Sequence, residues 1–335
     1  MDEVFRRLID TSATPGSLHA FADMVLERGR WAAEVFQRYD RAATQAIVEA
    51  VARAAHERAG HYAEWAVRET GFGVVEHKRI KNEQTAIPFV DYYRDWDFVN
   101  PRVDQDRKII ELPRPAGMIF ALIPSTNPIA TINFKTLSAL MTRNAIVLSP
   151  HPAARECSVD AARHLAAIAD AAGAPEGVIQ VVEQPSIPLI EQFMKSDKTD
   201  VILATGGTAM VRSAYSSSNP AIGVGPGNAP VYVDPSADLQ RAAEHIVASK
   251  SFDNSVLCTN ESVLITQDSC ARDLERELAR SGAHVLSEAE TAALRTYLFQ
   301  AQEFNVEALG RDAAWIASEV GIRVSPKTRV LVAPI

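Results

Sequence analysis

The reactive group around which this sequence is arranged is a thiol, in Ser251-Phe252-Asp253-Asn254-Ser255-Val256-Leu257-Cys258-Thr259-Asn260-Glu261-Ser262. It falls between a helix-like run over residues 238–249 and a strand-like one over 263–266. A cysteine at such a junction is open to substrate, and nearby backbone donors can draw it toward the thiolate. The competing reading is a small buried hydrophobe, which describes most free cysteines. Other loops offer partners for a nucleophile. Pro124-Ser125-Thr126-Asn127-Pro128 reads as a helix start, with Asn127 as N-cap and Pro128 first in the helix. A cap uses only the amide oxygen, so the Asn127 NH2 group is left to donate to a developing oxyanion. Ser149-Pro150-His151-Pro152 sets an imidazole at a strand end, against a ribose, a phosphate or water. In Ala204-Thr205-Gly206-Gly207-Thr208-Ala209-Met210-Val211 a glycine pair allows a phosphate to approach a helix N-terminus, or serves a tight turn. The alternating Gly223, Gly225 and Gly227 suit a backbone wall along a cleft, or a flexible connection.

The elements that must position these residues follow from apolar periodicity. Helices are expected over residues 1–10, 17–36, 42–69 and 75–93, with a linker-like break over 11–17. The first of them is either a docking helix or one that packs on the body or a sister subunit. After residue 107 strands are expected at 108–112, 117–123, 145–149, 178–182 and 200–204, alternating with helices at 128–141, 153–172 and 189–194. Strict alternation predicts an α/β fold with a parallel, doubly wound sheet, whose ligands bind at the carboxyl ends of the strands. A second domain follows from about residue 227 and supplies Cys258.

Composition narrows the partners. The 335 residues are 47% hydrophobic and 23% charged, with a net charge of −8, which argues against nucleic acid and anionic membrane. Three cysteines without metal-ligand spacing point to a reducing compartment and no metal site. No apolar run reaches the length of a membrane span, and no signal-peptide core opens the chain, so the cytoplasm is the expected location.

Together the stretches 123–128, 149–152, 204–207, 220–230 and 251–258 resemble the aldehyde dehydrogenase superfamily, specifically its CoA-acylating branch. That branch includes acetaldehyde and propionaldehyde dehydrogenases and the N-terminal half of bifunctional aldehyde–alcohol dehydrogenases. The resemblance runs from about residue 39 to the C-terminus. It implies an N-terminal extension (1–16), a Rossmann-type dinucleotide-binding domain (17–226) and an α/β catalytic domain (227–335). Cys258 matches the nucleophile and Asn127 the oxyanion donor, although counting back from Ser149 favours Thr126. Thr205, Gly206, Gly207 and Met210 fall where the family contacts the dinucleotide, and Ser149, Pro150, His151 and Pro152 where it meets the adenosine ribose. Val224 and Gly225 lie beside the nicotinamide, next to Gly223. NAD is the implied cofactor, with NADP left open because Arg155 could meet a 2′-phosphate, and coenzyme A is the implied co-substrate. Homo-oligomers are implied as well, and a bacterial microcompartment is an alternative location.

One departure selects the chemistry. Thirty-five positions before the cysteine, hydrolytic members carry a glutamate that activates water, and this chain has Gly223. The implied reaction therefore passes an acyl group from Cys258 to the thiol of coenzyme A, reversibly, with a short aldehyde as substrate. A glutamate placed at 223 is expected to restore some hydrolysis if its side chain fits between the nicotinamide and Cys258. Two rivals stand beside this: a hydrolytic enzyme using Glu261 as base, and a non-catalytic dinucleotide-binding fragment. The last stretch resembles a family segment that leads into an internal strand. An incomplete catalytic domain is therefore expected, with the apolar run 330–332 short of neighbours.

Overall fold

A computed structural model describes residues 15–300 and 303–334; the helix expected over 1–10 lies outside them. The described chain divides into two compact units. One holds residues 15–70 and Lys78–Pro226, the other Gly71–His77 and residues 227–334.

The first unit begins with α1 (Pro15–Phe36). This helix starts two residues earlier than expected, because a proline in the first turn gives up only an N–H that has no intrahelical partner. The expected 42–69 helix is two helices, α2 (Arg41–Glu57) and α3 (Ala59–Thr70), parted at Arg58 beside Gly60. The step lets Val51, Ala52 and Ala55 of one and Tyr62, Ala63 and Ala66 of the other all reach the core. The 75–93 run is also broken, into α4 (Val75–Gln84) and α5 (Ile87–Tyr92), since Pro88 supplies no N–H to continue the first helix. The strand expected over 108–112 forms no part of the main sheet. Its β2 (Ile109–Glu111) pairs only with β1 (Arg102–Asp104), as an exposed antiparallel ribbon.

Five parallel strands form the centre: β3 (Met118–Ile123), β4 (Ala145–Pro150), β5 (Ile179–Val181), β6 (Val201–Thr205) and β7 (Ala221–Val224), in the order β5-β4-β3-β6-β7. β3 and β4 are buried at every residue, as the inner strands of a sheet covered on both faces must be. The connecting helices are α6 (Pro128–Met141), α7 (Arg155–Ala171, preceded by a 3-10 turn at Pro152–Ala154), α8 (Ile187–Lys195) and α9 (Thr208–Tyr215). Right-handed crossovers put α6 and α7 on one face and α8, where the winding reverses, on the other. α1 packs on α8 and β4. Its Gly29 permits the approach, because a Cβ there would stand 2.1 Å from Met118 Sδ. The winding reverses between β3 and β6, and ligands of such sheets bind outside the strand ends at that switch point.

The second unit pairs β8 (Ala229–Val233) with β9 (Glu261–Thr266) in parallel, and packs α10 (Leu239–Ser251) against α11 (Asp268–Arg280). Its core joins Val233, Ala243, Val247, Leu274 and Leu278 to Ala283 and Val330. Further elements are β10 (Ala283–Val285), α12 (Glu288–Leu298), the ribbon β11 (Phe299–Gln300) with β12 (Glu303–Phe304), α13 (Ala313–Glu319) and β13 (Val330–Val332). The run expected to lack neighbours does have one. β13 pairs in parallel with β10, and Val330 is buried.

Candidate functional site

In the first unit the sequence-selected loops gather at the carboxyl ends of β3, β4, β6 and β7. Asn127 does precede α6, and its carbonyl accepts the first helical bond from Thr131 N–H at 3.1 Å. Its side chain, however, makes no cap. The carboxamide oxygen accepts instead from the ammonium of Lys81, and Nδ2 stands 3.5 Å from Thr126 Oγ1. One turn earlier on α4, Lys78 Nζ donates to the Thr126 carbonyl at 2.8 Å. Both lysines are buried, 2% and 8% exposed. Sequence reasoning passed over them. The available signal was Lys-x-x-Lys within a helical run, which sets both ammonium groups on one face.

A third buried lysine lies under the same strand ends. Lys135 on α6 donates to the carbonyls of Leu122 (2.7 Å), next to last in β3, and Leu203 (2.8 Å), in the middle of the neighbouring β6. Burial pushes its pKa down to about 7.

After β4, Ser149 is buried, and its hydroxyl has no hydrogen-bond partner. Pro150 closes the strand and His151 is exposed beyond it. His151 Nδ1 accepts from Ala153 N–H at 3.1 Å at the head of the 3-10 turn containing Pro152, which leaves the ring proton on Nε2. Desolvation holds this imidazole below its ordinary pKa, favouring the neutral tautomer that donates outward. Arg155, considered for a 2′-phosphate, donates to Gln184 Oε1 at 2.8 Å and stands 3.6 Å from Glu156. The Glu69 carboxylate accepts from the N–H groups of Glu156 (2.7 Å) and Cys157 (2.8 Å), filling the N-terminus of α7.

After β6, Thr205 ends the strand, Gly206 N–H donates to Val224 O at 3.2 Å, and Gly207 starts α9 without a capping side chain. A Cβ on either glycine would meet no atom within 4 Å. That open space, at a helix N-terminus and a strand end, fits a pyrophosphate. Met210, on the first turn of α9, packs partly buried against the core. On β7, Val224 is exposed, and Gly225 follows with open space around it. Gly223 differs. A Cβ there would lie 2.6 Å from Val211 Cγ1 and 2.7 Å from Tyr215 Cε2, against α9. The condition set on a glutamate at 223, that its side chain fit, is therefore not met here, because its first carbon already collides. Tyr215 adds to the constraint: its hydroxyl accepts from Gly223 N–H at 2.9 Å, at the open edge of the sheet.

In the second unit Cys258 is a free, exposed thiol, whereas Cys157 in the first unit and Cys270 on α11 are buried. Burial, with Glu69 adjacent, pushes the Cys157 thiol well up, which suits an inert core residue. The chain reaches Cys258 through a left-handed turn of three residues that are not glycine: Asp253 (φ 52°), Asn254 (φ 49°) and Ser255 (φ 66°). Such backbone persists only where surroundings hold it. Asp253, fully buried, accepts from Val74 N–H at 2.7 Å, and its own N–H donates to His77 Nδ1 at 2.8 Å. His77 stacks on Phe252 with ring centroids 4.4 Å apart, and Asn254 Nδ2 donates to Gly310 O at 2.9 Å. Gly227 lies so close that a Cβ there would stand 3.0 Å from the Cys258 carbonyl oxygen. Glu261 opens β9 with one carboxylate oxygen buried and unpartnered. Among the described residues no group of three or more His, Cys, Asp or Glu could hold a metal, and no helix is long and apolar enough to cross a membrane.

Comparison with known proteins places this arrangement. The aldehyde-alcohol dehydrogenase of Clostridium acetobutylicum is 38% identical over 298 residues, covering 89% of this chain and 34% of the relative. The chain thus spans about a third of the length of the curated relatives of this kind. An acetylating aldehyde dehydrogenase structure from Geobacillus thermoglucosidasius superposes with a TM-score of 0.90 at 38% identity, over 95% of this chain and 71% of that one. The propionaldehyde dehydrogenase of Rhodopseudomonas palustris, solved with bound CoA and an acylated cysteine, gives 0.84 at 29% identity, over 94% and 72%. The profile of the aldehyde dehydrogenase family matches residues 14–289, and this chain belongs to the aldehyde dehydrogenase family.

Proposed function

We propose that the chain carries a CoA-acylating aldehyde dehydrogenase activity, with residues 17–226 binding NAD(P) and residues 227–335 supplying the nucleophile. One pairing carries the reading: Cys258 is an exposed thiol, and position 223 offers neither a carboxylate nor room for one. The bound CoA and acylated cysteine of the Rhodopseudomonas palustris relative support it. In this mechanism the Cys258 thiolate forms an S–C bond to the aldehyde carbon, and the carbonyl electron pair becomes an oxyanion. Asn127 Nδ2, or Thr126 beside it, donates to that oxygen. The oxidised nicotinamide, when bound, supplies the hydride acceptor. Gly206, Gly207 and the α9 N-terminus hold its pyrophosphate, with Thr205 and Met210 alongside, and Ser149 to Pro152 face the ribose. Gly223, Val224 and Gly225 line the nicotinamide with backbone. Loss of hydride from the former aldehyde carbon leaves an acyl thioester on Cys258. The thiolate of coenzyme A displaces it, forming acyl-CoA and returning the Cys258 thiolate, its own proton having gone to solvent. A thioester exchanged for a thioester is close to balanced, so acyl-CoA is also reduced to aldehyde. A homo-oligomer working in the cytoplasm completes the proposal.

The test is NADH formation from acetaldehyde or propionaldehyde, with and without CoA. Turnover is expected only with CoA, giving acyl-CoA in ping-pong fashion, and Cys258→Ser is expected to abolish it while NADH binding persists. Cys157→Ala and Cys270→Ala are expected to stay active. Steady conversion to free acid without CoA overturns the proposal.

A further inference from the structure

We infer that Lys81 is a positioning residue that sets the orientation of the Asn127 carboxamide and raises its strength as a donor. The inference rests on the reading of Asn127 as oxyanion donor and adds the group that makes it one. An ammonium carries three donors and no acceptor, so the Asn127 atom facing Lys81 Nζ must be the oxygen. That fixes which end of the amide is which: Nδ2 is turned away from Lys81, toward the Thr126 side. A carboxamide free to flip would present oxygen to an oxyanion half of the time, and oxygen there repels.

The positive charge does a second job. A charge-assisted bond to Oδ1 draws electron density toward the oxygen and leaves the N–H bonds more polar. The donor is thus strengthened before any charge develops on substrate, as preorganised stabilisation requires. Lys78 steadies the same loop by holding the Thr126 carbonyl at 2.8 Å. Two ammonium groups stand one turn apart on α4, 2% and 8% exposed, and both donate into this loop. Their charge has a use if the loop must stabilise an anion.

The experiment uses two single-turnover reactions of Cys258 in the whole chain. With p-nitrophenyl acetate, an S–C bond forms through a tetrahedral oxyanion, and the thiolate's negative charge leaves on p-nitrophenolate, read as a burst. Iodoacetamide alkylates the same thiolate with loss of iodide and forms no oxyanion. Lys81→Met is expected to slow the burst by about tenfold or more, approaching the loss of about a hundredfold expected of Asn127→Ala, while alkylation stays within about twofold. Lys81→Arg, which also only donates, is expected to keep most of the rate. In the Asn127→Ala background, adding Lys81→Met is expected to cost little more, because the two residues act as one unit.

Equal slowing of both reactions by Lys81→Met, or a full additional loss in the Asn127→Ala background, overturns the positioning role and leaves Asn127 its own. An unchanged burst in Asn127→Ala overturns the reading of Asn127 as donor. Absence of any burst from the unmodified chain, with Cys258 readily alkylated, overturns both. Should Lys81→Met fail to fold, Lys81→Arg decides: an alkylation rate that is kept with a burst that is lost sinks the inference.

Discussion

Lys135 places an amine where only 4% of the residue reaches solvent, and the consequence is a pH dependence of stability. Its pKa in the folded chain, about 7, lies below the ordinary lysine value of 10.5. The unfolded chain therefore holds more protons between these values, and stability rises with pH across that window. Below about pH 7 the cost of the buried charge is fully present. Urea unfolding at pH 7 and pH 9 should show this rise, with a limiting slope of about 1.4 kcal/mol per pH unit from this group. Lys135→Met should flatten it. Gly223 sets a different limit at the same scale. Gly223→Ala should destabilise by about 1–3 kcal/mol, the range for forcing a methyl into filled space, read as a lowered thermal midpoint. Gly223→Glu should do worse, with no CoA-independent acid formed.

At the scale of elements, α7 owes its first turn to a residue from another helix. Glu69, next to the last residue of α3, holds two N–H groups that the helix itself cannot satisfy. Glu69→Ala should cost about 1–3 kcal/mol, and Glu69→Gln less, because one acceptor oxygen survives. Chemical denaturation of the two variants measures the difference. This cap was not legible in the sequence, since Glu69 and Cys157 are 88 residues apart and neither follows a capping pattern. The strands were legible where burial on both faces made them continuous apolar runs, as in Met118–Ile123 and Ala145–Pro150. The helix break at Arg58 was not, because apolar periodicity runs on through a bend that tertiary packing imposes, whereas the one at Ala86 is signalled locally by Pro88. Asn127 shows the same limit within the site. Its place before a proline marked the helix start correctly, but the partner of its oxygen is set by a lysine 46 residues away.

For the molecule as a whole, the loops read from the sequence as ligand-binding do stand at the carboxyl ends of one parallel sheet, and the selected thiol is the exposed one of the three. What the sequence did not disclose is the support beneath them: three buried lysines in the first unit, and in the second a left-handed turn held by Val74 and His77. Each depends on residues far apart in sequence, whose meeting no local pattern records.

The seven residues Gly71–His77 count with the second unit although they are made long before the rest of it. His77 precedes Asp253, the residue it holds, by 176 positions. At ordinary rates of synthesis that gap is on the order of ten seconds or more, during which the strap has nothing to fasten. Heredity meets the same join. A chimera that exchanged everything after Pro226 for a relative's sequence would pair a new turn with an old strap. Gly73, where a Cβ would stand 2.1 Å from Asp253 Oδ1, leaves no slack for a mismatch. Recombination that swaps this unit intact must carry two pieces of the gene, seven codons and the remainder, as one cassette.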